Sequence, residues 1–124
     1  MSAAKQIQGS VSYYAGQAAE NAVARDYVRR GFTLACERWR GKRGEIDLIM
    51  RHGPDLVFVE VKKSKSFQHA ALRITRRQMD RIFGSAEEFL ANEPNGSLTN
   101  VRFDVALVDQ AGQLRIIENA FGHD

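Results

Sequence analysis

The chain contains a single cysteine, Cys36, and that scarcity excludes several chemistries at once. One thiol cannot close an internal disulfide, and without companions it cannot build a zinc site. Set in an apolar-looking run, Cys36 is expected to be a buried structural thiol of a reducing compartment. The only histidines are His52, His69 and His123. They lie in loops or at the tail, without ligand-type companions, and receive no metal or catalytic role. No apolar run is long enough to span a membrane. No signal-peptide core opens the chain. A cytoplasmic protein with no membrane partner is therefore expected. There is no internal repeat and no low-complexity segment.

What is present points to one packed domain. The chain has 124 residues, 44% hydrophobic and 27% charged, which suits one domain and too little chain for two. The expected organisation is a flexible tail over residues 1–12, a single domain over 13–121 and a short tail over 122–124. The formal charge of +3 is only mildly basic, but its distribution is uneven. Basic residues cluster at Arg38, Arg40, Lys42 and Arg43, at Lys62, Lys63 and Lys65, and at Arg73, Arg76, Arg77 and Arg81. Any one cluster reads as a solvated face. Three clusters flanking an acidic motif are harder to read that way, and they suit nucleic acid.

The pattern predicts a helix from near Tyr13 or Tyr14 to Arg30, with Ala19, Val23 and Tyr27 on its apolar stripe and Gly31 as its C-terminal cap. A strand follows over Phe32 to Arg40, then a basic turn over Gly41 to Gly44. Ile46 to Arg51 and Leu56 to Lys63 read as a hairpin around a Gly-Pro turn. Ser64 to Leu72 reads as a polar loop. A second helix begins near Thr75 and carries Met79, Ile82, Phe83, Ala86, Phe89 and Leu90 at helical spacing. Asn92 to Gly96 ends it. Val101 to Val108 and Leu114 to Glu118 read as the last strands. A strand-helix-strand crossover predicts that the strands ending in Val61 and beginning at Val101 are parallel, connected with the right hand. The fold class is α/β, a small mixed sheet flanked by helices in the order α-β-β-β-α-β-β.

The chemistry concentrates between Gly44 and Lys62, in GEIDLIM and LVFVEVK. Side chains alternate along a strand, so Leu56, Phe58, Glu60 and Lys62 share one face and Val57, Val59 and Val61 the other. Both faces begin apolar, as in a strand covered on both sides. The charges come only at its end. Glu60 is thus expected near low-dielectric surroundings, where an unpaired carboxylate is expensive. Asp47 meets that pair if the runs are neighbours. Two carboxylates and a lysine at one end of a buried sheet suit a divalent-metal phosphodiesterase. The same residues also suit a structural ion pair, and residue types alone leave both readings open.

The order of a helical Glu, a strand Asp and an E-x-K on the next strand resembles the PD-(D/E)XK nuclease superfamily. More closely, the chain resembles the bacterial YraN-like family of predicted endonucleases, distantly related to archaeal Holliday junction resolvases. The matching positions are Gly16 with Glu20, Gly31-Phe32, Trp39-Arg40, Gly44 to Ile49, Val57 to Lys62, Gln78, Arg102 to Val105 and Asn119 to Phe121. E-x-K alone is a weak signal, whereas GEIDLI followed at this spacing by VFVEVK is a strong one. The resemblance implies a restriction-endonuclease-like fold. It implies Asp47 and Glu60 as ligands of Mg²⁺ or Mn²⁺, helped by the Val61 carbonyl, since hard cations prefer oxygen donors. Lys62 would orient the attacking water or stabilise developing charge. Glu20 would be a further acidic site residue, and Gln78 matches a helical position near the site.

These assignments have structural rivals. Glu20 also reads as an exposed partner of a nearby arginine. Thr75-Arg-Arg-Gln78 fits a helix capping box. Glu45 reads as a supporting acid or an arginine partner, and Asp104 as a structural hydrogen-bonding group. Trp39 reads as a stacking platform for a base or as packing against the sheet edge. One departure from the family pattern is Lys63-Ser64, where many relatives carry Thr-Arg.

The expected function is a metal-dependent endonuclease that hydrolyses DNA phosphodiesters by in-line attack of activated water. Branched or structured DNA is the implied substrate. Arg40, Arg43, Lys63, Lys65, Arg76 and Arg77 are the expected DNA contacts, largely to the backbone. A homodimer would suit the cutting of two strands. The alternatives are a non-catalytic DNA-binding or scaffold protein that keeps the fold, and a structural ion-pair network in a domain with another partner.

Overall fold

The computed structural model describes residues 17–72 and 74–121. The expected tails, the start of the first helix near Tyr13, Gly16, Arg73 and His123 lie outside the described residues. Helix α1 covers residues 17–29. It is followed by β1 (Thr33–Arg40), β2 (Glu45–His52), β3 (Asp55–Lys63), α2 (Phe67–Leu72), α3 (Arg76–Leu90), a 3-10 turn (Gly96–Leu98), β4 (Val101–Val108) and β5 (Leu114–Ile117). The five strands form one sheet in chain order. β1–β2, β2–β3 and β4–β5 are antiparallel, and β3–β4 is parallel. The fold is mixed α/β, as expected. One element differs: Phe67–Leu72 is a short helix, not a loop. Its six residues are too few to display a helical period in sequence.

Chain ends and turns follow local chemistry. α1 stops where Gly31 takes φ +98. There the Gly31 amide bonds the Val28 carbonyl and the Phe32 amide bonds the Tyr27 carbonyl, a Schellman closure that an L-residue at Gly31 would strain. The β2–β3 hairpin closes through Gly53-Pro54, with His52 paired to Asp55. α3 opens on a full capping box. The Thr75 hydroxyl accepts from the Gln78 amide, and the Gln78 side chain accepts from the Thr75 amide.

Two cores lie on the two faces of the sheet. Ala19, Val23 and Tyr27, one helical turn apart, bring α1 onto Leu48, Met50, Val57, Val59, Ala106 and Val108. Ile82, Ala86 and Leu90 bring α3 onto Ile49, Leu56, Phe58, Phe103, Val105 and Leu107. β3 is therefore buried on both sides, which accounts for its near-continuous apolar run. Arg81 packs over Gly44 and Glu93 pairs with Arg51. α3 thus runs along β2, with its N-terminus at the end of the sheet where β3 finishes.

One acid in the interior is structural. Asp104 is fully buried on β4. It accepts from the Tyr27 hydroxyl at 2.6 Å, from Arg102 at 2.8 and 2.9 Å, and from the Asn119 amide at 2.9 Å. A carboxylate with four donors is satisfied in a dry interior. Asp104 thereby joins α1, β4 and the C-terminal turn. Burial, then the Asp104 carboxylate, push the Tyr27 hydroxyl pKa upward.

Candidate functional site

The site forms where β2 and β3 part. Their pairing runs from His52–Asp55 to Leu48–Val59 and goes no further. At the same point β2 loses its alternation, because Ile46 and Ile49 both face α3 while Leu48 faces α1. On β1, Arg38 opposes this break with φ +52, an uncommon conformation for a residue with a Cβ. The Val61 amide would be left without a ladder partner. Asp47 supplies one, accepting it at 2.8 Å. The break in the ladder thus turns the Asp47 carboxylate toward the end of β3.

Glu60 and Lys62 extend from the same face of β3, as strand alternation predicts. Lys62 Nζ lies 3.2 Å from Glu60 Oε1, and their side chains are only 13% and 9% exposed. The Asp47 and Glu60 carboxyls are near enough for each to act on the other's ionisation. Burial pushes the Asp47 carboxyl up to about 7, and the Glu60 charge adds to the push, with a smaller one from Glu20. The Val61 amide and the Lys62 charge act in the opposite direction. Burial likewise raises Glu60, against the pull of Lys62, Arg81 and Asp47. Two crowded, desolvated carboxylates resist simultaneous ionisation. They share a proton, or they need added positive charge.

A divalent cation meets that requirement. The Asp47 and Glu60 carboxylates and the Val61 carbonyl are hard oxygen donors from adjoining strands. Among the described residues no three His, Cys, Asp or Glu side chains converge as a ready-made metal cluster. The donor set is therefore two carboxylates and backbone, with coordination left for water and substrate. It fits Mg²⁺ or Mn²⁺, ions that retain several waters, better than Zn²⁺.

Glu20 stands on α1, near enough for its charge to act on Asp47. Its Oε2 accepts from Arg38 Nε at 2.8 Å, and its side chain is 12% exposed. Both readings meet here in part: Glu20 pairs with an arginine, yet it is half-buried beside the site and not a freely exposed acid. Gln78 spends its carbonyl on the Thr75 amide, which is the capping role. Glu45 pairs with Arg40 at 3.4 Å, so it is an arginine partner. Trp39 is half-buried and packs edge-on against Phe89 of α3 at the margin of the core, which is the packing role. Cys36 is only half-buried on the edge strand β1, less enclosed than expected. The break in alternation at Arg38 accounts for the position of Trp39, because it returns the ring to the α3 side where Cys36 already lies.

The expected DNA contacts gather at the same end of the sheet. Lys63 closes β3 and Lys65 follows it, exposed. Arg76 and Arg77 are exposed in the first turn of α3, with Arg76 3.5 Å from Asp80. Arg40 precedes the basic turn and Arg43 lies in it, both lining a pocket of about 370 Å³ that also receives Lys42 and Arg81. Two contributors gave little sequence signal, Arg38 as the partner of Glu20 and Arg81 as a charge acting on Glu60. Each sat among several similar arginines, with only tertiary packing to select it. No helix among the described residues is long and apolar enough to cross a membrane.

Known proteins resemble this chain along nearly its whole length. A UPF0102 protein of Cereibacter sphaeroides strain ATCC 17029 is 64% identical over 115 residues, 93% of this chain and 98% of that protein. A UPF0102 protein of Ruegeria pomeroyi is 59% identical over 116 residues, 94% of each chain. One of Dinoroseobacter shibae is 42% identical over 116 residues, 94% of this chain and 87% of its own. The model of the uncharacterised protein family UPF0102 matches residues 19–108. That span runs from α1 through β4 and holds Glu20, Asp47, Glu60 and Lys62. The chain belongs to that family, the YraN-like family its motifs resemble.

Proposed function

We propose that this protein is a metal-dependent endonuclease that hydrolyses DNA phosphodiester bonds, with branched or structured DNA as its substrate class. The observation that carries the reading is the convergence of Asp47 and Glu60, with Lys62 at 3.2 Å from Glu60, where the β2–β3 ladder opens. Bound Mg²⁺ or Mn²⁺ would lower the pKa of water and neutralise charge on the phosphate. Asp47, Glu60 and the Val61 carbonyl would hold that ion. The Val61 amide fixes the Asp47 carboxylate, so little reorganisation is needed on binding. Lys62 Nζ, held beside Glu60, orients the attacking water or donates to the charge that develops on the phosphate oxygens. Arg40, Arg43, Lys63, Lys65, Arg76 and Arg77 supply backbone contacts, which position the DNA without reading its sequence. The resemblance to junction resolvases supports the substrate class and the possibility of a two-fold dimer.

The Glu20–Arg38 ion pair favours a second reading. In it the acids form a charge network in a DNA-binding or scaffold protein that does not cut. One assay separates the two. End-labelled four-way junction, flap, single-stranded and duplex DNA are incubated with purified protein in Mg²⁺, Mn²⁺ or EDTA, beside Asp47→Asn. Metal-dependent cutting that the variant loses is the expected result, and the substrate ranking identifies the class. DNA that is retarded but uncut in every lane would establish the second reading instead.

A further inference from the structure

The basic turn 41–44 is locked onto α3 by a reciprocal arrangement of glycine and arginine. A Cβ on Gly44 would lie 2.6 Å from Cδ of Arg81, and a Cβ on Gly84 would lie 2.4 Å from Cδ of Arg43. Gly44 is thus a notch for the Arg81 side chain from Cγ to Nε, and Gly84 one for the Arg43 side chain from Cδ to Cζ. Gly44 has φ +147, which also favours glycine. Two hydrogen bonds hold the turn in register. The Ser85 hydroxyl donates to the Gly44 carbonyl at 3.1 Å, and the Lys42 amide donates to Glu88 at 2.8 Å. Arg81, Gly84, Ser85 and Glu88 all lie on one stripe of α3.

This packing fixes two guanidinium groups without neutralising them. Arg40 is paired with Glu45 and Arg76 with Asp80. Among the described residues neither Arg43 nor Arg81 is ion-paired. Both are exposed, and both line the pocket between the turn and α3. Arg81 is also close enough for its charge to act on Glu60, which puts the pocket beside the acidic pair. Side chains held in notches lose less freedom on binding than free arginines do, and the exposed ends of planar guanidinium forks match phosphate oxygens.

We propose that Arg43 and Arg81 form a phosphate subsite that grips a backbone phosphate of DNA next to the one attacked at the acidic pair. The ligand rests on the nuclease reading above, but the arginine pair and its glycine notches do not.

The test is fluorescence anisotropy with a labelled duplex and a labelled four-way junction, in EDTA, across a salt series. Arg43→Ala and Arg81→Ala are each expected to weaken binding about tenfold and to flatten the slope of log Kd against log salt by about 1. Arg81→Lys keeps the charge and should keep the slope while losing part of the affinity. Gly84→Ala favours the helix yet displaces the Arg43 side chain, so it should weaken binding with every charge retained. Arg29→Ala, on the last turn of α1, is the control. Wild-type affinity and slope in Arg43→Ala and Arg81→Ala would overturn the subsite. So would an equal loss in Arg29→Ala, or no DNA binding by the wild type. Cleavage by the same proteins in Mg²⁺ separates the two claims. Arginine-dependent binding without any cutting keeps the subsite and removes the nuclease reading. Cutting with unaltered variant binding does the reverse.

Discussion

The Asp47 carboxylate accepts the Val61 amide at 2.8 Å, in the place where β2 stops pairing with β3. A side chain thus completes the ladder that the backbone leaves open, and the same carboxylate faces Glu60. Position and charge at the end of β3 therefore depend on one residue.

Asp47→Asn should keep the fold, because the amide oxygen can still accept from Val61. Metal-dependent cleavage should fall by at least about 100-fold, the order expected when a key electrostatic contributor is lost. A gel assay beside circular dichroism checks both. Full activity, or an unfolded variant, would remove Asp47 from the site.

The same substitution carries a pH signature without metal. The Asp47 carboxyl is raised from its ordinary 3.8 to about 7. Its protonated form is therefore favoured by folding. The stability it contributes is present below the unfolded value and is lost as pH rises through about 7. Asp47→Asn has no such loss. Relative to wild type, it should gain on the order of 4 kcal/mol between pH 4 and pH 8 in EDTA. Urea unfolding at those two pH values measures it, and an unchanged gap would contradict the buried acid pair.

Added Mg²⁺ or Mn²⁺ should raise the unfolding midpoint of the wild type at pH 8, since a ligand that binds only the folded state stabilises it. Asp47→Asn and Glu60→Gln should respond little. Calorimetric scans with and without EDTA test this, and equal shifts in all three proteins would place the ion elsewhere.

Lys62→Ala should abolish most cleavage and destabilise the protein by about 1–3 kcal/mol, because Glu60 loses its cation in a desolvated setting. Paired cleavage and denaturant measurements separate the effects. Lost activity with unaltered KM would identify a contact made only in the transition state.

Two polar residues should matter for stability alone. Asp104→Ala strands the Tyr27 hydroxyl, Arg102 and the Asn119 amide and should cost about 3–5 kcal/mol. Gln78→Ala breaks half of the α3 capping box. Its cost should be about 0.5–1 kcal/mol, with cleavage retained. Loss of cleavage by a stable Gln78→Ala would return that residue to the catalytic set.

Much of this architecture was legible in the residues themselves. The Tyr27 stripe, the double-sided apolar run of β3 and the α3 periodicity each encode which face is buried. Gly31, Gly53-Pro54 and Thr75 with Gln78 encode where elements stop, because their backbone preferences act locally. Strand alternation alone put Glu60 and Lys62 on one face. α2 was not legible, since one short turn of helix carries too few residues to show a period.

The amino-acid order by itself determined every element but α2 and the chemical types at the end of β3, properties of near neighbours in the chain, and the strand-helix-strand order implied the parallel pairing of β3 with β4. Only the tertiary structure decided which charge meets which. It turned Glu20 toward Arg38, set Trp39 against Phe89 of α3 and laid Arg43 and Arg81 across each other's glycines. The physical reason lies in the break in alternation at Arg38 and Asp47. A local change of strand face is invisible to a period-of-two reading, yet it decides which side chains reach the site.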